Sequence, residues 1–404
     1  MSFQQGLSGL NAAAKNLDVI GNNIANASTI GFKGATAQFA DVYANTAAGS
    51  TSNAVGIGAT VSLIPQSFNQ GNIETTSNPL DLAINGEGFY RLSNNGTNTY
   101  SRNGQFSLDK SGYIVNATGQ NLTGFPAAPG GTGITAAAPT NLQVSSADLA
   151  PSPTTTATLQ VALKPDDPIP TVVPFNLANN NTYDRTTSMT VYDSLGSPAT
   201  LATYFVKTGV NAWDVYGALN NVPIGAAPIG TMAFNNNGTS SGIPPIALNL
   251  PVGTGAANIA MTLDLSSSTQ FSTDFSTAPP VQNGYGAGKL TGFSVGKDGV
   301  IAASYSNGQT RAQGQVVLST FVNPQGLQVL GNNQWAESAA SGQAAIGAPG
   351  SGSLGVLQSG ALESANVDMS AELVDMITAQ RAYQANAQTI KTQDSVLQTL
   401  VNLR

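Results

Sequence analysis

Residues 364–404, SANVDMSAELVDMITAQRAYQANAQTIKTQDSVLQTLVNLR, decide the fold of this chain. In alternating steps of four and three residues, the stretch places apolar side chains at Met369, Leu373, Met376, Tyr383, Ala387, Ile390, Leu397 and Val401, with only Gln380 and Asp394 intervening. This 3.5-residue period is typical of helices that pack along one another. Neither Gly nor Pro interrupts it, so the sequence predicts one helix about 60 Å long.

The other end of the chain repeats the same spacing. Its seam positions are Phe3, Leu7, Leu10, Ala14, Leu17, Gly21 and Ile24. An amphipathic helix packed on its own domain is the simpler interpretation of either seam alone. Two seams of equal period at opposite termini instead predict that the chain ends form one helical module, with the rest of the chain as a large insertion.

The composition excludes several classes of function. Of the 404 residues, 9% are charged, against about 25% in ordinary soluble proteins, so neighbouring copies would repel one another weakly. A net charge of −7 argues against nucleic-acid binding. The absence of Cys and His removes disulfides, thiolate chemistry and the commonest general base and metal ligands. No apolar run is long enough to span a membrane, and residues 1–5 do not begin a cleavable secretory signal.

Between the termini the pattern is that of short strands separated by Asn-Gly, Ser-Gly and Thr-Gly turns. The predicted fold is mainly β with terminal α-helices, and its β domains are nested between N- and C-terminal coiled-coil helices. The predicted domains are residues 1–33 plus 362–404 for the helical core, 34–75 plus 345–361 for a connector, 76–145 plus 285–344 for a first β domain, and 146–284 for an inserted outer β domain.

No motif predicts catalysis, a cofactor or a metal. Residues 284–290, GYGAGKL, lack the first Gly and the final Ser or Thr of a phosphate-binding loop. Asp166 and Asp167 lie between prolines without the further acidic ligands that calcium needs. Asp81 and Glu87, a strand residue and a turn residue, imply no cleft. We therefore assign no catalytic, cofactor-binding or metal-binding residue.

Three stretches closely resemble the flagellar axial proteins, the rod, hook and hook-associated subunits of bacterial flagella. They are NNIANASTIGFK at residues 22–33, the segments NVDM and AQRAYQANA at residues 366–369 and 379–387, and residues 80–106 within the first β domain. The resemblance marks as family signature residues Asn22, Asn23, Asn26, Gly31, Phe32, Asn366, Gln380, Arg381 and Tyr383. Gly31 also fits the C-terminal side of the first helix, which we expect to run from Ser2 to about residue 27.

Within the family, the length, the block at residues 190–207 and the ending LQTLVNLR resemble hook subunits rather than the much shorter rod subunits. The resemblance implies a curved, flexible helical tube that carries motor torque, and export by the flagellar type III route without a cleaved signal. The partners it implies are further copies of the chain, the flagellar rod, the hook cap, the hook-length control protein and the hook–filament junction protein. The residues expected to make helix-seam contacts during assembly are Phe3, Leu7, Leu10, Leu17, Ile24, Leu373, Met376, Tyr383, Ile390, Leu397 and Val401.

Three alternatives remain open at this point. A distal rod subunit would use the same helices in a straight shaft. A secreted carbohydrate-active enzyme would need two carboxylates facing one cleft. A surface adhesin would keep its binding activity after deletion of residues 1–30.

Overall fold

A computed structural model describes residues 2–42, 56–253 and 255–402. Two long helices stand near the ends of the chain, α1 at Ser2–Ala25 and α2 at Met369–Asn402. All other described elements are strands and three short 3₁₀ turns, at Pro129–Gly131, Asn180–Thr182 and Pro324–Gly326. The predicted fold class, mainly β with helices at both termini, is confirmed.

The local sequence explains where the helices begin and end. The carboxylate of Asp368 accepts hydrogen bonds from the amides of Ser370 and Ala371, at 2.8 and 3.2 Å, and so caps the first turn of α2. The sequence analysis missed this N-cap. It also placed Gly31 at the end of α1, which is wrong, since α1 ends at Ala25 and turns follow it. Gly31 has a left-handed φ of 70°, but for a different reason that is described below.

The chain divides into two compact units. Unit 1 comprises residues 1–146, 292–304 and 310–404, and unit 2 comprises residues 147–291 and 305–309. Unit 2 is thus inserted in the sequence of unit 1. The turns between strands rely on two residue types, since all positive-φ residues in the described part of the chain are Gly or Asn, which tolerate that conformation.

The described residues of unit 1 form most of one large sheet and three pairs of strands. The main path of the sheet runs, in order, through Leu290–Val295, Val300–Tyr305, Thr310–Val316, Asn121–Pro126, Phe89–Asn94, Thr97–Ser101, Gln334–Ala336 and Gln328–Gly331. Five short strands join it at Phe106–Leu108, Ile114–Asn116, Thr140–Asn141, Leu318–Thr320 and Ala345–Gly347. The pairs are Gln38–Val42 with Gly58–Leu63, Ile73–Thr75 with Ala361–Glu363, and Leu82–Asn85 with Val356–Ser359.

Those last two pairs join the outgoing chain to the returning chain. Residues 73–75 pair antiparallel with 361–363, and residues 82–85 pair with 356–359. Two apolar clusters fill unit 1. One surrounds Tyr90 and Leu122, and the other packs Phe89, Phe321 and Trp335 edge to face.

The described elements of unit 2 are β-strands, apart from the short 3₁₀ turn at Asn180–Thr182, and the unit has its own core around Phe205 and Trp213. Its five-stranded sheet holds Arg185–Tyr192, Pro198–Gly209, Ala212–Leu219, Val222–Pro223 and Gly230–Ala233. A four-stranded sheet holds Ile246–Leu250, Ile259–Asp264, Thr156–Thr158 and Val281–Gln282, and a three-stranded sheet holds Thr269–Gln270, Val161–Leu163 and Ser276–Thr277.

The sequence of unit 2 predicts a turn at residues 193–196 and a single strand over residues 156–163, and these two predictions have different outcomes. The turn predicted at residues 193–196 is confirmed, since Gly196 has a φ of 80° between the strands 185–192 and 198–209. The single strand predicted over residues 156–163 is wrong. Its two halves pair with different partners, residues 262–264 and 269–270, so the chain passes from one sheet to another near Leu159.

Candidate assembly surface and terminal junction

Helices α1 and α2 pack against each other in opposite directions. A Cβ added at Gly6 would lie 3.1 Å from Ile390, and one at Gly9 would lie 2.9 Å from the side chain of Asn386. Near the other end of α1, the amide of Asn23 donates to the Glu372 carboxylate at 2.9 Å. The two termini therefore form one helical module within a single chain.

The contact uses small residues on α1. Gly6, Ala13 and Ile20, spaced by seven residues, are buried, and Ala379 on α2 is 4% exposed. Gly at positions 6 and 9 allows the helices to approach closely, because any side chain there would meet α2. The 3.5-residue period is thus present in the contact. On α1 it uses residues other than those of the predicted seam, whereas on α2 the seam residue Ile390 faces Gly6.

The predicted seam of α1 lies about a quarter turn from this contact. Leu7 and Gly21 each follow a buried residue by one position, which rotates them by about 100°. Phe3 and Leu7 are 45% and 43% exposed. Leu10, Leu17 and Ile24 are half-buried.

On α2 a shift of one residue separates part of the seam from the contact, whereas the seam residue Ile390 lies in the contact, opposite Gly6. Leu373 follows Glu372, which faces α1, and is 46% exposed. Leu397 is 56% and Tyr383 37% exposed. Met376 and Ile390 are half-buried, and the side chain of Val401 lies outside the described residues.

Because the helices are antiparallel, equal rotations bring both seams to the same side of the pair. The opposite side of α1 is covered by the strand pair 38–42 and 58–63. There the side-chain amide of Gln5 donates to the carbonyl of Gly56 at 2.6 Å, and Ser8 Oγ accepts from the amide of Ala59 at 3.2 Å. We call the uncovered side, formed by the seams of α1 and α2, the open face.

A buried ionic cluster joins the helical module to the β part of unit 1. Lys33 Nζ lies 2.7 Å from Glu363 Oε1, and Arg102 Nε lies 3.3 Å from Glu363 Oε2. These side chains are at most 3% exposed. Lys33 also donates to the carbonyl of Asn69 at 2.8 Å, and the amide of Gly71 donates to Glu363 at 2.9 Å.

The cluster holds two cations, Lys33 and Arg102, and one anion, Glu363, so the positive charges outnumber the negative ones. Burial lowers the pKa of Lys33, and the positive charge of Arg102 lowers it further, while Glu363 opposes both. Arg102 disperses its own charge by donating to the carbonyls of Gly88 and Gly86, at 2.8 and 2.9 Å. A single carboxylate therefore holds together the outgoing chain, the returning chain and the β part of the unit.

Two of the family signature asparagines, Asn23 and Asn366, add hydrogen bonds to this junction between the helical module and the β part of unit 1. Asn23, 2% exposed, pairs with both backbone groups of Ala35, at 2.8 and 3.0 Å. Asn366 accepts from the amide of Gly34 at 2.8 Å and donates to the carbonyl of Ser67 at 2.7 Å. Both side chains thus act within the chain, as connectors between the start of α2 and the segment that follows α1.

Gly31 belongs to the same junction. A Cβ at this position would lie 2.6 Å from the amide nitrogen of Asn103 and 2.7 Å from the carbonyl carbon of Arg102. Its own amide donates to the carbonyl of Glu363 at 2.8 Å. Close backbone approach and a positive φ together require Gly here.

The remaining signature residues differ in their surroundings. Asn26 donates to the carbonyl of Asn22 at 3.0 Å, and Phe32 is half-buried. Gln380 and Arg381 are exposed on α2. The sequence analysis missed Lys33, Arg102 and Glu363, although charged residues next to the signature stretches are a usable signal in a chain with so few charges.

Among the described residues, no group of three or more acidic, His or Cys side chains lies close enough together to hold a metal ion. The described helices include none with the length and apolar character needed to cross a membrane.

Family models match four parts of the chain. They are described as flagella basal body rod protein over residues 3–33, flagellar hook protein FlgE/F/G D1 domain over 83–151, flagellar basal body protein FlaE D2 domain over 157–285, and flagellar basal body rod FlgEFG protein C-terminal over 358–403. The matched ranges include both helices and parts of both units.

Full-length relatives have high identity. The chain is 46% identical to the flagellar hook protein FlgE of Escherichia coli strain K12 over 414 residues, with 100% of both chains covered. It is 33% identical to the protein of the same name from Brucella suis biovar 1, covering 100% of this chain and 98% of the relative. A crystal structure of the Helicobacter pylori flagellar hook protein FlgE2 shares the fold, with a TM-score of 0.56, 14% identity, and coverage of 72% of this chain and 100% of that one.

Proposed function

The chain belongs to the flagellar hook protein family and is a subunit of the bacterial flagellar hook, and we propose that it polymerises through the open face. The polymer would be a curved, flexible helical tube that transmits torque from the rod to the filament. The open face is the observation that carries this proposal, because it leaves the seams of two long helices in water on one side of the pair.

Burial of this face supplies the free energy for assembly. Each Leu, Ile, Met or Phe side chain that becomes fully buried contributes about 1.5–3 kcal/mol, less for those already half-buried. The face carries few charges, since Asp394 is the one charged residue among the seam positions of the two helices. Copies can therefore approach one another at little electrostatic cost.

The contact is heterologous, since the open face of one copy meets a different surface of the next. Such contacts propagate and form a tube unless the rotation closes a ring. The seam residues named from the sequence, Phe3, Leu7, Leu10, Leu17, Ile24, Leu373, Met376, Tyr383, Ile390, Leu397 and Val401, are the proposed assembly contacts. We expect the termini to be largely disordered before assembly, with packing between copies ordering them.

Unit 2 and the β part of unit 1 would take part in contacts between copies that differ from those of the helices. Their amide- and hydroxyl-rich surfaces favour weak contacts that exchange as the tube turns. The proposed role is structural, without catalysis.

Other partners follow from the family. The proposed neighbours in the assembled structure are the rod, the hook cap, the length-control protein and the hook–filament junction protein. The proposed location is outside the cell, reached by the flagellar export route without removal of a signal peptide.

Electron microscopy of the concentrated, purified chain tests the proposal. The full chain should form curved tubes, and a chain lacking residues 1–30 should form none. Straight rods would instead favour a rod subunit, and tubes from the shortened chain would contradict assembly through the helices.

A further inference from the structure

Gly21 occupies a place in α1 that no contact in the described part of the chain explains. Gly is among the least favourable residues within a helix. Gly6 and Gly9 have a reason in the close approach of α2, but a Cβ at Gly21 would meet no atom of the described chain within 4 Å. Gly21 lies on the open face, next to the half-buried Leu17 and Ile24.

A second feature, a group of exposed apolar side chains on α2, lies at the opposite end of the helix pair. Ile390 is opposite Gly6, so α2 passes Ser2, the first described residue of α1, at about residue 394. The part of α2 beyond this point, which we call the overhang, exposes 51% of Val396 and 56% of Leu397. The overhang has apolar side chains that no helix faces among the described residues.

These two features cannot meet within one copy. The hydrogen bond from Asn23 to Glu372 places Gly21 opposite about residue 374. Leu397 is therefore about 23 residues further along the axis, a distance of about 35 Å. In two copies that follow one another along the tube axis, Gly21 of one copy and the overhang of the other can lie side by side.

We propose that the overhang of one copy docks over Gly21 of a second copy, with Gly21 as the point of closest approach. This inference rests on the proposed function. It specifies which parts of α1 and α2 meet when copies follow one another along the tube axis. Leu17 and Ile24 flank Gly21 as an apolar floor, and Val396 and Leu397 supply the side chains that cover it. The contact joins opposite ends of the helix pair, so it repeats without closing, as a tube requires.

Cysteine cross-linking tests this contact cleanly, because the chain has no Cys of its own. Two single variants, Gly21→Cys and Leu397→Cys, are mixed, polymerised and oxidised. The expected product is a disulfide-linked dimer that contains one chain of each variant. A chain carrying both substitutions should give a ladder of linked copies rather than a closed monomer.

The variant pair Gly9→Cys with Asn386→Cys in one chain is the matched control, since these positions face each other within a copy. It should close internally and run as a monomer. Polymers of the mixed variants that form without the Gly21–Leu397 dimer would overturn the inference while leaving the proposed function intact. Failure of the unmodified chain to form tubes would count against the proposed function itself.

A bulkier residue at Gly21 gives an independent readout. Gly21→Leu should raise the critical concentration for polymerisation about tenfold, because the approaching overhang would meet the new side chain. The helix content of the unpolymerised chain should not fall. An unchanged critical concentration would contradict close approach at Gly21.

Discussion

Lys33 and Glu363, 330 positions apart in sequence, form an ion pair of 2.7 Å whose side chains are 0% and 1% exposed. Arg102 approaches the second oxygen of the same carboxylate. The helical module and the β part of unit 1 are thus joined at a site where charges are removed from water. Such pairs contribute little to stability when intact, but breaking one leaves an uncompensated charge.

Removal of the Glu363 carboxylate should therefore be costly. We expect Glu363→Ala to lower the free energy of unfolding of unit 1 by about 3–5 kcal/mol, because two cations remain buried without a counter-ion. Urea titration followed by circular dichroism measures the change. Asp18→Ala, in the exposed pair with Lys15, is the matched control and should change stability by about 0.5 kcal/mol or less. Equal effects of the two substitutions would show that burial of the cluster is unimportant.

Gly31 allows backbone strain to be separated from a steric clash. Gly31→Ala should destabilise unit 1 by more than about 2 kcal/mol, since it combines a positive φ with a Cβ only 2.6 Å from the Asn103 amide nitrogen. Gly119, with a φ of 78° and open space around it, is the control. Gly119→Ala should cost only about 1–2 kcal/mol. Thermal unfolding of the two variants measures the effect. Equal decreases in Tm for Gly31→Ala and Gly119→Ala would contradict close packing at Gly31.

Tyr90 should make stability depend on alkaline pH. Burial raises the pKa of Tyr90 well above its ordinary value, with Arg102 opposing the shift. Above the ordinary pKa, the unfolded chain loses the phenol proton while the folded chain keeps it, so stability falls as pH rises. The loss should add about 1.4 kcal/mol per pH unit.

Unfolding free energies measured between pH 8 and pH 11 test this account. Tyr90→Phe should weaken the alkaline loss by about one proton's contribution, although it also removes the 2.7 Å hydrogen bond to the carbonyl of Leu82. Parallel pH profiles for the two chains would contradict a buried, protonated Tyr90.

Substitutions in the open face and substitutions in the contact between α1 and α2 should have different effects on polymerisation and on the unfolding free energy. Leu7→Gln should raise the critical concentration for polymerisation about tenfold, because a partly exposed seam residue would be buried only in the polymer. It should change the unfolding free energy by about 0.5 kcal/mol or less. Ile20→Ala, on the buried side of α1, should instead lower the unfolding free energy of the assembled chain by about 2–4 kcal/mol, because we expect the two helices to be ordered in the tube. Light scattering during polymerisation and urea titration of the tubes distinguish the two effects.

The sequence predicted the helices well because their period is long and uninterrupted. It could not predict which side of α1 would meet α2. The predicted seam emphasised large apolar residues such as Leu7, whereas the contact uses Gly6, Ala13 and Ile20. Small residues gain little from burial themselves, but they allow close approach, and their partners are known only once the helices are paired.

The junction was less accessible to prediction. The resemblance identified Asn23, Gly31 and Asn366 as important without giving their contacts. Lys33, Arg102 and Glu363 come together through strand pairing between distant parts of the chain, and no local pattern encodes that pairing. The strand predicted over residues 156–163 was wrong for a similar reason, because its sheet partners are about 100 residues away.

Far-UV circular dichroism and electron microscopy of the same sample test most directly whether assembly buries and orders the helices at the chain ends. On concentration, the full chain should gain helical signal as curved tubes appear, and a chain without residues 1–30 should do neither. Tubes formed by the shortened chain, or tubes of the full chain formed with no gain in helical signal, would contradict the account.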